Sequence, residues 1–408
     1  MKKIANAVFG VALLCGLGGV FLKNSAILSA KAENPAIYSE DCTVNVAKTQ
    51  KNEELNVSAK SAYLMDYGTQ TVIFAQNERA HLPIASMCKI MTLLLSFEAI
   101  DAGVLDMEEE ITVSERAASM GGSQVFLEAN AKYLVKELLK SIVVCSANDS
   151  CVAMAERLAG SESVFVERMN QRARELGATD TLFANCTGLP KDPQYSCAKD
   201  VAIMLKNLLS HEEYYEFGKV WMDKFTHPKG RFTEITNTNK LVRFYEGCDG
   251  GKTGFTNEAG FCLAATAKRN DMRVISVVIG AENSKNRFED VRTMFDYAFA
   301  NYKMALLAEA NVALETPLHV NGGKIKSVSV YPERSVYAFT GIGEKANVSM
   351  DIRLNEVKAP IAQGDRIGEL IVYRDGVESD RVPLCACERV EKATVWDRFK
   401  EIAKNWNG

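Results

Sequence analysis

The chain has 408 residues, 47% of them hydrophobic and 25% charged, with a formal net charge of −4. This is the composition of a globular protein long enough for one large domain and a smaller one. With no basic excess to neutralise phosphates, nucleic acid is excluded as a main partner.

Lys2 and Lys3 precede an uncharged apolar run over residues 4–22 and small residues ending Ala30-Lys31-Ala32. The pattern predicts a secretory signal over 1–32, cleaved after Ala32. The run is also just long enough to remain as an uncleaved anchor. Cleavage removes four of the 48 basic residues and no acidic one, leaving 44 against 52. Residues 33–56 are polar and aperiodic and read as a flexible linker.

Residues 61–75 alternate around Gly68, which predicts a hairpin of 62–66 and 71–75. Pro83 precedes a stretch over 84–100 that is apolar on almost every face, a buried helix with Ser86 in its first turn. Further helices are expected over 133–145, 149–158, 163–176, 198–209 and 287–302, and strands over 261–267 and 273–280. Helices mixed with an antiparallel sheet make 57–308 an α+β domain. Beyond it, short β-rich runs broken by Gly322-Gly323 and Asp375-Gly376 predict an all-β sandwich domain over 309–388.

In the last segment, 389–408, residues Val395, Trp396, Phe399, Ile402, Ala403 and Trp406 fall within an arc of about 120° on a helical wheel. Tryptophans on the apolar face suit a helix lying at a membrane surface; the alternative is a helix docked on its own protein. Ten cysteines follow residue 32, none in C-x-x-C spacing and several inside apolar helix-like runs. That placement favours buried free thiols over disulfides.

Three motifs stand in order: Ser86-Met87-Cys88-Lys89, Ser146-Ala147-Asn148 and Lys252-Thr253-Gly254. Each alone recurs by chance; together they form a kit for acyl transfer through a serine ester. Ser86 and Lys89, three apart, share a helix face. A serine hydroxyl is a poor nucleophile until a base takes its proton. Lys89 can do so only if desolvation and a nearby positive charge depress its ammonium. The apolar helix supplies the first, and Lys252 supplies the second if it converges. Taken alone, the pair reads as a capping serine and a surface lysine. Yet the helix has no other charge before Glu98, and burying an idle lysine is costly.

Ser146 can relay a proton between the lysines and the leaving group, or cap the helix that follows. Asn148 offers an amide to grip a substrate backbone and to hold Lys89. Gly254 removes a side chain where substrate would lie along a strand edge, and Lys252 with Thr253 can bind a terminal carboxylate. Other schemes fare worse. There are four histidines, no G-x-S-x-G elbow and no H-E-x-x-H spacing, so neither a hydrolase triad nor a metal site is expected. Cys88, two residues along a helix from Ser86, points away from it. No cofactor is called for.

Pro83-Ile84-Ala85-Ser86, Gly121-Gly122-Ser123-Gln124, Ser146-Ala147-Asn148-Asp149 and the run from Lys252-Thr253-Gly254 through Phe255-Thr256-Asn257-Glu258-Ala259-Gly260 complete the picture. The chain resembles the penicillin-recognising serine enzymes and, among them, the low-molecular-mass D-Ala-D-Ala carboxypeptidases. The resemblance covers about residues 57–390. It implies removal of the terminal D-alanine from peptidoglycan stem pentapeptides, with β-lactams acylating the same serine. By matching position, Ser86 is the nucleophile, Lys89 its general base, and Ser146 with Asn148 the second motif. The N–H groups of Ser86 and Phe255 form the oxyanion hole, and Arg287 helps bind the substrate carboxylate. Such an enzyme is exported and works at the outer face of the cytoplasmic membrane. There are departures. Met87-Cys88 replaces a commoner pair of small hydroxyl residues, Gly251 replaces an aliphatic, and Ala131-Lys132 stands where a turn glycine is usual. A β-lactamase-like hydrolase would need a deacylating carboxylate that the sequence does not identify, and the intact motifs argue against a wall-binding protein on a decayed scaffold.

Overall fold

The computed structural model describes residues 24–27, 37–43, 55–315, 317–343, 347–354, 357–374, 376–397 and 399. The chain divides into two compact units, one of residues 52–300 and one that combines 1–51 with 301–408.

The first unit is built on a five-stranded antiparallel sheet. The expected hairpin forms β1 (Ser61–Asp66) and β2 (Val72–Gln76), and a later meander forms β3 (Cys248–Thr256), β4 (Gly260–Arg269) and β5 (Met272–Ala281). Their spatial order is β2-β1-β5-β4-β3, with Asp66 opposite Val274 and β3 at an edge. The Lys-Thr-Gly motif therefore lies inside an edge strand. Nearly every residue of β5 is buried because both faces are covered. Ile275, Val277 and Ile279 join the main core, while Ser276 reaches Met294 on a helix of the opposite face.

That main core surrounds α1 (Lys89–Asp101), whose residues Lys89 to Leu94 are all buried. Around it pack α2 (Val135–Cys145), α3 (Asn148–Ala159), α4 (Glu162–Glu175) and α5 (Ala198–Leu208). The opposite face of the sheet carries α6 (Ser284–Asn301). All five later helices lie within three residues of their expected limits, because each has an apolar stripe of helical period. The hairpin Met222–Thr226 with Phe232–Thr236 was not anticipated, since most of its residues are exposed and it lacks a clean alternation.

The second unit is all-β. Its largest sheet is antiparallel, in the order Asn24–Ile27, Ile37–Thr43, Asn347–Leu354, Arg366–Arg374, Val377–Ala386, Val330–Pro332. A second sheet pairs Tyr302–Ala308 with Val336–Gly341. Val336 and Ala338 from one sheet share a core with Leu370, Val382 and Leu384 from the other. Two sequence readings meet this unit. Residues 37–43, read within a polar linker, pair with strand Asn347–Leu354, so the sheet extends beyond 309–388. The backbone supplies the missing driving force there: an edge strand accepts a further strand through main-chain bonds whatever the side chains. Of the expected leader over 1–32, only Asn24–Ile27 lies within the described residues, and the final residues 400–408 lie outside them. Among the described residues no helix is long and apolar enough to cross a membrane. The nine cysteines with described side chains are free thiols, and Cys42 lies outside that set.

Candidate active site

Ser86 does not sit in the first turn of a continuous α-helix. Ala85–Cys88 forms a 3-10 turn that runs into α1, with Ala85 at φ +46°. That left-handed conformation is unfavourable for a residue with a Cβ. The turn is pressed from two sides. A Cβ on Gly188 would lie 2.0 Å from Ala85 O, and one on Gly254 would lie 2.6 Å from Ile84 O. The room that Gly254 makes is thus filled by the serine turn itself, a closer occupant than a substrate strand. The glycine lets edge strand β3 dock against the nucleophile.

Lys89 is fully buried, and its Nζ donates to Ser86 Oγ at 3.0 Å and to Thr187 O at 2.5 Å. Burial depresses its ammonium below the usual lysine range. Lys252 is buried as well. Burial, followed by the charges of Lys89 and Arg287, pushes its pKa well down. Its Nζ donates to Thr253 O at 3.2 Å. Neither lysine meets a carboxylate among the described residues. Burial accounts for the depression of Lys89, and the charge effect runs from Lys89 to Lys252, the reverse of the direction the sequence argument asked for.

Ser146 closes the C-terminus of α2 in a left-handed conformation, φ +66°, and is not the cap of α3. Its Oγ is buried and has no hydrogen-bond partner among the described residues. Asn148 opens α3 and is held by the loop before α2: Nδ2 donates to Gly121 O and the backbone N–H to Ser123 O, both at 2.7 Å. Its Oδ1 is buried and unpartnered among the described residues. The expected grip of Asn148 on Lys89 is absent among the described hydrogen bonds; Thr187 O takes that place. Thr253 Oγ1 donates to Thr238 Oγ1 at 2.8 Å, and Thr238 N–H reaches Val144 O at 3.0 Å. This chain ties β3 to the end of α2 beside Ser146, so the three motifs meet.

Arg287, in the first turn of α6, donates from Nη1 to Gly254 O at 3.2 Å and to Cys262 O at 3.4 Å. The rings of Phe288 and Phe261 lie 4.7 and 5.5 Å from its guanidinium carbon. Burial lowers its pKa to about 10, and its Nε is buried without a partner among the described residues. Phe255 follows Gly254 in β3, its half-exposed ring 4.4 Å from that of Phe261. Four buried side-chain polar atoms lack partners among the described residues. Three of them, Ser146 Oγ, Asn148 Oδ1 and Arg287 Nε, belong to this site. Unmade buried hydrogen bonds cost about 1–3 kcal/mol each, so their concentration here marks groups awaiting a ligand.

Sequence reasoning missed Thr187 and Thr238, which act through a carbonyl and a hydroxyl brought in from distant loops and carry no spacing signal. It also missed what Gly251 requires. That residue sits at φ +130°, where a Cβ would lie 2.3 Å from Ala264 O, and its N–H donates to Tyr214 Oη at 2.9 Å. One group of metal-ligand atoms converges among the described residues, Asp180, Cys197 and Asp200. Arg79, His81, Thr181 and the backbone N–H groups of Asp180 and Asp200 already engage it, the pattern of a structural cluster.

The profile of the family described as D-alanyl-D-alanine carboxypeptidase matches residues 46–283. The chain belongs to this family. A second profile, penicillin-binding protein 5, C-terminal domain, matches residues 302–392. The D-alanyl-D-alanine carboxypeptidase DacF of Bacillus subtilis (strain 168) is 40% identical over 88% of this chain and 92% of its own length. Penicillin binding protein 5 of Haemophilus influenzae has a similar structure, with a TM-score of 0.67 and 28% identity over 84% of this chain and all of that one. Penicillin-binding protein D2 of Listeria monocytogenes, solved in an ampicillin-bound form, matches with a TM-score of 0.55 and 31% identity over 60% of this chain and all of that one. The protein is accordingly a serine-type D-Ala-D-Ala carboxypeptidase with a penicillin-binding-protein fold.

Proposed function

We propose that this carboxypeptidase cleaves the terminal D-alanine from peptidoglycan stem peptides through an ester on Ser86. Neutral Lys89 takes the Ser86 proton as Oγ attacks the carbonyl carbon of the penultimate D-alanine. The N–H groups of Ser86 and Phe255 receive the developing oxyanion. Ser146 passes the proton to the departing D-alanine nitrogen, and water then hydrolyses the ester with Lys89 again acting as base. Asn148 holds the acyl portion of the substrate, while Lys252 and Thr253 on β3, with Arg287 reaching Gly254 O from α6, take the terminal carboxylate. The observation that carries this reading is the 3.0 Å contact between Ser86 Oγ and the Nζ of a fully buried lysine with no acidic partner among the described residues.

β-Lactams acylate the same serine, a reading supported by the ampicillin-bound relative. The apolar run over 4–22 supports export, to the outer face of the cytoplasmic membrane. The tail is read as a surface anchor: Thr394 and Asp397 cap a helical start, and Val395, Trp396 and Phe399 are exposed. If so, removing 393–408 releases the mature protein from the membrane fraction; equal partitioning with and without the segment rejects the anchor. The catalytic test is release of D-alanine from a pentapeptide ending in D-Ala-D-Ala. Release that vanishes in Ser86→Ala supports the reading, whereas rapid penicillin turnover without D-alanine release points to a β-lactamase.

A further inference from the structure

The residue after Asn148 binds the loop that holds Asn148. Asp149 is fully buried, and its carboxylate accepts the N–H groups of Val125 and Leu127, both at 3.1 Å, and of Ser150 at 2.9 Å. The loop answers through Gly121 O and Ser123 O, which accept from Asn148. A Cβ on Gly122 would lie 2.8 Å from Asn148 Nδ2, so the two segments are in close contact.

Between the two amides clamped by Asp149 stands Phe126, at φ +62°. A bulky residue resists that conformation, and such strain persists only where surrounding bonds enforce it. Here they do so from the other side as well. Phe126 O accepts from Arg231 Nη2 at 2.9 Å, Arg231 also meets Glu128 at 3.2 Å, and Thr233 Oγ1 donates to Val125 O at 3.4 Å. His227, whose Nε2 lies 2.9 Å from Thr233 Oγ1, anchors the hairpin side of this clamp. Yet the ring so presented is 55% exposed and stacks on no other ring among the described residues. The core gains nothing from it.

We infer that Phe126 is a specificity-determining contact for the substrate side chain that precedes D-Ala-D-Ala, and that Asp149 is the positioning residue that presents it. The inference rests on the carboxypeptidase reading and on the assignment of Asn148 to the acyl portion. Phe126 rides on the loop fastened to Asn148, whereas the carboxylate end of the substrate is assigned to Thr253 and Arg287. An exposed aromatic face on the acyl side suits a long side chain with aliphatic methylenes and disfavours a substrate with no side chain there.

The test compares two peptides of equal length ending in D-Ala-D-Ala, one preceded by Nε-acetyl-lysine and the other by glycine. The full chain prefers the first. Phe126→Asn keeps a residue that tolerates the left-handed backbone while removing the ring, and lowers the ratio of the two kcat/KM values about tenfold, the scale of an apolar pocket contact. Asp149→Asn lowers the same ratio by freeing the loop. An unchanged ratio in Phe126→Asn overturns the proposal, because a merely structural role would leave selectivity alone. Labelling of the wild type by fluorescent penicillin reports the underlying function separately. Label with an unchanged ratio rejects only the Phe126 contact, and no label rejects both.

Discussion

The two units treat positive charge in opposite ways. In the all-β unit three exposed arginines pair with acids: Arg334 with Asp380 at 2.6 Å, Arg366 with Glu333 at 2.8 Å and Arg381 with Glu369 at 2.7 Å. In the catalytic unit Lys89, Lys252 and Arg287 are buried and meet no carboxylate among the described residues. Elsewhere in that unit pairing is normal; Arg273 grips Asp249 with two bonds of 2.7 and 2.8 Å. Solvent and salt screen the exposed pairs, which contribute little. Burying an unpaired cation is costly, and a fold retains three together only where they are used. The contrast separates decoration from chemistry without reference to any motif.

The largest effect that can break this contrast is at Lys89. Lys89→Met removes the base, and D-alanine release falls about 10³-fold, within the range for general bases; a fall below tenfold would assign the proton elsewhere. Arg287→Gln comes next. It lowers kcat/KM about 10²-fold for a peptide with a free carboxylate, as expected for truncating one partner of a buried charge pair. The same change matters less for the peptide amide, and equal losses on both would remove the carboxylate from the role of Arg287.

Lys252→Met sharpens the comparison through pH. Lys89 must be neutral to act, and its depressed pKa places the acid limb of kcat/KM below the ordinary lysine value of 10.5. Burial sets the depression of Lys89, and Lys252, pushed well down by burial and by the Lys89 charge, has lost its proton where Lys89 titrates. The limb therefore stays where it is in Lys252→Met, and a limb that moves to higher pH would show that Lys252 keeps its charge. Stability does shift. A lysine whose folded pKa lies below its unfolded one makes the unfolded state bind more protons between the two values, so stability rises with pH across that window. Replacing Lys252 by Met removes this burden and raises the thermal midpoint of the catalytic unit, by about 2–4 °C for each kcal/mol recovered. The smallest effect is at Arg381→Met, which leaves penicillin labelling and the thermal midpoint unchanged within error.

Much of this candidate site is legible in the sequence, because Ser86, Lys89, Ser146, Asn148 and Lys252 are of types and at spacings that carry the chemistry, whereas Arg287 enters only through the family resemblance. The helices are legible for a similar reason: α2 and α5 have apolar stripes of period 3.6. What escapes is backbone placement. Nothing near Ser86 announces that Ala85, at positive φ, is pressed between the loop carrying Gly188 and the strand carrying Gly254, or that Thr187 O orients Lys89. Residues 37–43 escape because strand addition rests on main-chain bonds, which polar residues make as well as apolar ones. Asp149 reads as an ordinary acidic helix start until the folded loop brings Val125 and Leu127 to it.

The account stands on Ser86 Oγ activated by Lys89. Its most direct test is peptide mapping by mass spectrometry after exposure to benzylpenicillin, with the wild type beside Lys89→Met. The account predicts a penicilloyl adduct confined to the peptide containing Ser86 in the wild type, and almost none in the variant over the same time. An adduct on another residue, or one that forms equally fast without Lys89, would contradict it.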